Sequence, residues 1–142
     1  MPPILTRRHF IAAAGTASLL LPLAARAAPL DYTPGLVQEK LAAGETVFLD
    51  FKASWCTTCA AQERVLDALK AENPDYEAHV TFVDVDWDDY ARADFTKSLR
   101  IPRRSTLVVL KGDEELGRIV AGTGRDQIKA LMDTALSAAQ TS

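Results

Sequence analysis

An apolar run, Thr46 to Phe51, leads through Trp55 into Cys56-Thr57-Thr58-Cys59 and then directly into a helical pattern. A mostly apolar run is what a strand covered on both faces needs, so the chain must bring helices to two sides of a sheet. Both of its cysteines lie at the strand-to-helix junction, three residues apart. A thiol there sits over the first turn of the helix, where unpaired backbone N–H groups and the macrodipole favour negative charge. The thiolate is the attacking species in disulfide exchange, and such a setting lowers a cysteine pKa from ~8.5 to ~3.5–7.5. The second cysteine, one turn on, lies on the same helical face and is placed to close a disulfide with the first. Such a pair is a reversible two-electron thiol switch.

Other uses of this spacing compete with that one. A structural bridge around so short a loop removes only ~2 kcal/mol of unfolded-chain entropy. A zinc half-site begins in the same way but needs four ligands, and the remaining soft candidates are His9 and His79. A bare C-x-x-C also recurs by chance. The flanking residues favour the redox reading.

The N-terminus reads as an export signal rather than part of a fold. Arg7-Arg8 precedes a mildly apolar run from Phe10 to Ala25, and Ala25-Arg26-Ala27 supplies the small residues of a cleavage site. The run is alanine-rich and interrupted by Gly15 and Pro22, short of the ~20 apolar residues a spanning helix needs. It resembles a twin-arginine signal over residues 1–27, which implies a bacterial periplasmic protein. Residues 28–142 then form one compact domain. Removing the signal takes Arg7, Arg8 and Arg26, leaving thirteen basic residues against nineteen acidic ones. An acidic domain without a basic tract is a poor partner for nucleic acid, whose phosphates demand clustered Lys and Arg. Export also places the cysteines in an oxidising compartment.

The rest of the chain alternates between helix and strand. Leu36 to Ala43 reads as a short helix stopped by Gly44. Thr58 to Asn73 is a helix burying Val65, Leu66 and Leu69 and ending before Pro74. Val80 to Val85 is a second buried strand, and Tyr90 to Leu99 a helix with Ala91, Phe95 and Leu99 in line. Thr106–Leu110 and Leu116–Ala121 form a hairpin across Gly112-Asp113. Ile128, Leu131, Met132 and Leu136 mark a closing helix, with Thr123 and Asp126 spaced as a capping box. A β-α-β-α-β-β-α order gives an α/β fold, a central mixed sheet with helices on both faces.

From Asp50-Phe51-Lys52-Ala53-Ser54-Trp55 through Cys59, and again across the hairpin from Ser105 to Gly122, the chain resembles the thioredoxin family. The Trp-Cys-x-x-Cys context is most similar to periplasmic thioredoxin-like domains such as the C-terminal domain of the transmembrane thiol reductase. The resemblance implies a thioredoxin fold acting as a monomer on protein disulfides, with no cofactor and no metal. Cys56 is then the nucleophile, Cys59 the more buried resolving thiol, and Asp50 the buried acid that takes its proton. It implies a reductase more than an oxidase, since Thr58 stands where the family's strong oxidants carry histidine, and a membrane thiol reductase as electron donor. A dithiol oxidase or isomerase, a non-catalytic adaptor and a metal-cluster carrier are the competing readings.

Trp55, Arg104, Ser105 and Thr106 are the expected partner-binding residues. Trp55 would shield the thiols and offer a flat surface, or else pack in the core. Arg103 and Arg104 would favour thiolate and attract acidic surfaces, or else line a solvated loop. The chain departs from the family at Ser105, which occupies the position of its cis-proline, with Pro102 three residues earlier. A trans Arg104–Ser105 bond is expected, because a cis bond before serine costs ~2.5–4 kcal/mol. Ser105 is expected to lend backbone groups to an extended partner and to affect partners more than thiol chemistry. Phe82 stands where the family carries a lysine, so the assist to Asp50 deprotonation is expected to be missing. The run Asp84, Asp86, Asp88, Asp89 lacks the spacing of a calcium loop and reads as a strand end followed by a helix cap.

Overall fold

The apolar run forms β2, Thr46–Lys52, at the centre of a five-stranded mixed sheet in the computed structural model, which describes residues 28–141. The export segment expected over residues 1–27 lies outside the described residues. The other strands are β1 (Leu30–Asp31), β3 (Thr81–Asp86), β4 (Thr106–Lys111) and β5 (Glu114–Val120), in the order β1-β3-β2-β4-β5. β2 runs parallel to β3 and antiparallel to β4, so Asp50 lies opposite both Asp84 and Leu107. The helices are α1 (Leu36–Ala42), α2 (Thr57–Glu72), α3 (Asp75–His79), α4 (Trp87–Tyr90), α5 (Asp94–Ser98) and α6 (Arg125–Gln140).

Side-chain alternation along β2 feeds two cores. Phe48 points to one face and packs with Leu66 and Leu69 of α2, Tyr76 of α3, and Ile128 and Met132 of α6. Val47, Leu49 and Phe51 point to the other, against Val37 of α1 and the partly buried Tyr90 and Phe95. Each of these fully covered side chains contributes roughly 1.5–3 kcal/mol through burial. The β4–β5 hairpin turns at Gly112, whose φ of +56° suits glycine. Gly117 has a different reason: a Cβ there would come within 2.9 Å of Leu131 Cδ1, so its absence lets α6 seat on β5.

Two local expectations change, and two features add to the reading. The helix expected from Tyr90 to Leu99 is divided into α4 and α5. The Tyr90 carbonyl accepts from Ala93 N (3.1 Å) and from Thr96 Oγ1 (2.7 Å), so it is diverted from the helical bond to residue 94. The capping box is not formed: Gly124 is the N-cap of α6 and no side chain caps it. Thr123 lies one residue too early. Pro74 does not simply end a helix but opens α3, with Asn73 Oδ1 accepting from Asp75 N at 3.1 Å. β1 is only two residues long, too short for a periodic signal, and pairs with Val83 and Asp84. The acidic run does what a strand end and cap require, with Asp86 accepting from Asp88 N at 2.9 Å.

Candidate redox site

β2 delivers the chain to the mouth of the site and α2 begins there. Cys56 is the N-cap of α2, in extended backbone, and its sulfur accepts the backbone N–H of Cys59 at 3.1 Å. The sulfur thus takes the place an N-cap oxygen usually fills, on the positive end of a 16-residue helix. Cys56 and Cys59 are joined as a disulfide, with Cα atoms 5.2 Å apart. The pair packs with Ala53 and the partly buried Trp87. Cys56 is 4% and Cys59 2% exposed, so accessibility does not separate an open nucleophile from a hidden resolving thiol. What separates them is the cap position, which only Cys56 holds.

Asp50 is buried on the face covered by α2, lining a cavity of about 20 Å³ with Leu66, Lys70, Phe82 and Asp84, about the space of one water. Its Oδ1 has no hydrogen-bond partner. Burial, with the nearby Asp84 charge adding to it, pushes the Asp50 carboxyl up to about 7, against the pull of Lys52 and Lys70. The lysine charge expected to be missing is therefore supplied from two other places. Lys52 ends β2, 2.9 Å from Glu63 and 3.7 Å from Asp84. Burial opposes its charge, but Glu63, Asp84 and Asp50 outweigh that and hold its ammonium above the usual lysine range. Lys70 of α2 lies 4.1 Å from the centre of the Phe82 ring, and burial draws its pKa down. Phe82 does not replace a cation but carries one.

Trp55 is 57% exposed, which excludes core packing. Its Nε1–H donates to both carboxylate oxygens of Asp88 (3.0 and 3.1 Å), and the Arg104 guanidinium lies 4.4 Å over its ring. The indole is thus a surface plate held between opposite charges. Arg103 donates from Nε to the Arg104 carbonyl at 3.0 Å and serves its own loop.

Ser105 is fully buried, in left-handed backbone at φ +64°, and its bond to Arg104 is trans, as expected. Its N–H donates to Phe51 O at 2.7 Å, and its carbonyl accepts from Ala121 N at 2.8 Å and from Gln62 Nε2 at 3.0 Å. The groups expected to pair with an extended partner are thus engaged within the fold. Thr106 is likewise buried, its hydroxyl donating to Arg103 O at 2.7 Å, and its side chain presents nothing to a partner. Sequence reasoning missed Gln62, fully buried, which donates to Ser105 O and to Gly122 O (2.9 Å). The signal was available: Cys59, Gln62 and Leu66 form one helical stripe, and a glutamine inside an apolar stripe needs partners. Asp88 had no such signal, because only the fold brings it to Trp55.

The thioredoxin family profile matches residues 32–134. Thioredoxin H2-1 of rice is 33% identical over 95 residues, which cover 67% of this chain and 64% of the rice protein. This chain therefore spans just under two thirds of that relative. An H-type thioredoxin of Fagopyrum esculentum is 33% identical over 85 residues, 60% of this chain and 67% of its own. Among solved structures, Trxlp from Edwardsiella tarda aligns with a TM-score of 0.60 at 27% identity, covering 73% of this chain and 95% of that one. The chain belongs to the thioredoxin family, with Cys56 and Cys59 as its Cys-x-x-Cys pair.

Proposed function

We propose that this chain is a thiol–disulfide oxidoreductase that reduces protein disulfides through Cys56 and Cys59. The observation that carries the proposal is the Cys56 sulfur at the α2 N-cap, accepting the Cys59 N–H. In the reduced protein the Cys56 thiolate attacks one sulfur of a partner disulfide. That S–S bond breaks, and the partner's other sulfur leaves as a thiolate. Cys59 gives its proton to Asp50 as general base and attacks Cys56 Sγ, expelling the partner's second thiolate. The partner has gained two electrons and takes its protons from water, and this chain ends as the Cys56–Cys59 disulfide. A carboxyl titrating at about 7 can both take and return a proton near neutral pH. Turnover of an insulin disulfide with a dithiol reductant tests this directly; binding without turnover would instead make the chain an adaptor.

The proposal extends to the cell. Arg7-Arg8, the apolar run and Ala25-Arg26-Ala27 support twin-arginine export to a bacterial periplasm. There the chain would act as a monomer, with a membrane thiol reductase as electron donor. Thr58, in place of a histidine, supports the reducing direction. Replacing Arg7 and Arg8 by lysine should hold the protein in the cytoplasm. Undiminished export of that variant would break the localisation.

A further inference from the structure

Ser105 holds a left-handed backbone conformation that a side chain disfavours, and three hydrogen bonds, to Phe51 of β2, Gln62 of α2 and Ala121 just after β5, hold it there. The result is a hydroxyl lodged against the disulfide: Ser105 Oγ lies 3.2 Å from Cys56 Sγ and 3.1 Å from Cys59 Sγ. Disulfide sulfurs carry no proton, so the serine is the donor, and with one proton it serves one sulfur at a time.

The geometry points to Ser105 as a catalytic residue that donates its hydroxyl hydrogen bond to the Cys56 thiolate and so sets the acidity and reduction potential of the pair. This rests on the oxidoreductase reading of Cys56 and Cys59. When a dithiol reductant passes two electrons to the disulfide, the S–S bond breaks. Of the two protons the dithiol releases, Cys59 takes one as a thiol and the other goes to solvent; Cys56 is left as a thiolate, and the reductant closes its own disulfide. The new negative charge then has two donors, the Cys59 backbone N–H and the Ser105 hydroxyl, where the helix end alone would give one. A bond that is stronger to thiolate than to disulfide favours the reduced state, making the pair a better oxidant than the same pair without it. The sequence reading placed Ser105 with partner binding; its backbone is sealed in the fold, and its side chain faces the sulfurs instead.

Ser105→Ala removes the hydroxyl and keeps the left-handed strain, whereas Ser105→Gly removes both. Charged groups on the elements around the pair are Asp50 and Lys52 of β2, Glu63 of α2, Asp86, Asp88 and Asp89 around α4, and Arg103 and Arg104 of the loop. All of them are retained in both variants. The measurements are the pH profile of Cys56 alkylation in chemically reduced protein and the equilibrium of the pair with a dithiol buffer. Loss of a tenfold preference would raise the Cys56 pKa by about one unit and lower the potential by about 30 mV in both variants. An unchanged pKa and potential in Ser105→Ala would overturn the proposal. A shift in the glycine variant alone would overturn it too, since the backbone constraint would then be the cause. A wild-type pair that fails to equilibrate with the buffer would break the oxidoreductase reading, while the alkylation profiles would still judge the hydroxyl.

Discussion

Two buried polar clusters reached by α2 are built on opposite principles. At Ser105 the N–H, the carbonyl and the hydroxyl all have partners, and the Gln62 amide N–H, though its own Oε1 has no partner, locks the carbonyl in place. At Asp50 one carboxyl oxygen has no partner, and the surroundings are charges, Asp84 and Glu63 against Lys52 and Lys70. The first cluster fixes a position. The second leaves a proton free to move. A carboxylate given a full set of donors would be ionised far below neutral pH and useless as a base there. A hydroxyl left without anchors would not stay on the sulfurs. This chain holds both kinds of site, one in β2 and one in the loop before β4, and α2 packs against each.

The sharpest way to break this comparison is at the cysteines. Ser105 lies equally close to both sulfurs, so only the α2 cap tells them apart. Cys56→Ser should abolish disulfide reduction, and Cys59→Ser should accumulate a mixed disulfide through Cys56. Trapping by the Cys56→Ser protein instead, seen by mass spectrometry, would reverse the roles.

Next in size is Asp50→Asn. It should slow the resolving step about a hundredfold near pH 7, the lower end of what a positioned base supplies. It should also change stability in a definite direction. The unfolded carboxyl titrates near 3.8 and the folded one at about 7, so between those values the folded state holds a proton that the unfolded state has released. Wild-type stability therefore falls as pH rises through that window, by on the order of 4 kcal/mol, and levels off above it. The asparagine variant should lose this slope. Urea unfolding at pH 4 and pH 9 checks it; parallel slopes would remove Asp50 from the titrating cluster.

Gln62→Leu probes the fixed cluster, leaving the Gly122 carbonyl and one bond to Ser105 without their donor. A cost of about 1–3 kcal/mol is expected, without the pH slope of the Asp50 site. The smallest effect belongs to the exposed plate. Trp55→Ala should cost under ~1 kcal/mol of stability and raise KM for protein disulfides a few-fold, without moving the potential. A shifted potential would place Trp55 with the sulfurs rather than with the partner.

Much of the scaffold was legible because its signals are local. The apolar run of β2, the helical stripe of Leu66 and Leu69, Gly112 at the hairpin and Asp86 at a strand end each carry their reason within a few residues. The misses have equally plain causes. The split of α4 from α5 depends on a Thr96 hydroxyl reaching back to Tyr90, and the two residues of β1 have no period to read.

At the site, the sequence alone determined the cysteine pair and its place at a helix start, because both follow from spacing along one chain segment, while Asp50 was singled out as the buried acid through the family resemblance. Only the tertiary structure decided what surrounds them. Lys70 substitutes for a lysine absent from β3, Asp88 and Arg104 clasp Trp55, and Ser105 turns its hydroxyl to the sulfurs rather than its backbone to a partner. Each of these depends on residues 12 to 49 positions apart meeting across elements. No local periodicity encodes which polar groups a fold will press together, because burial and charge act on distance in space, not along the chain.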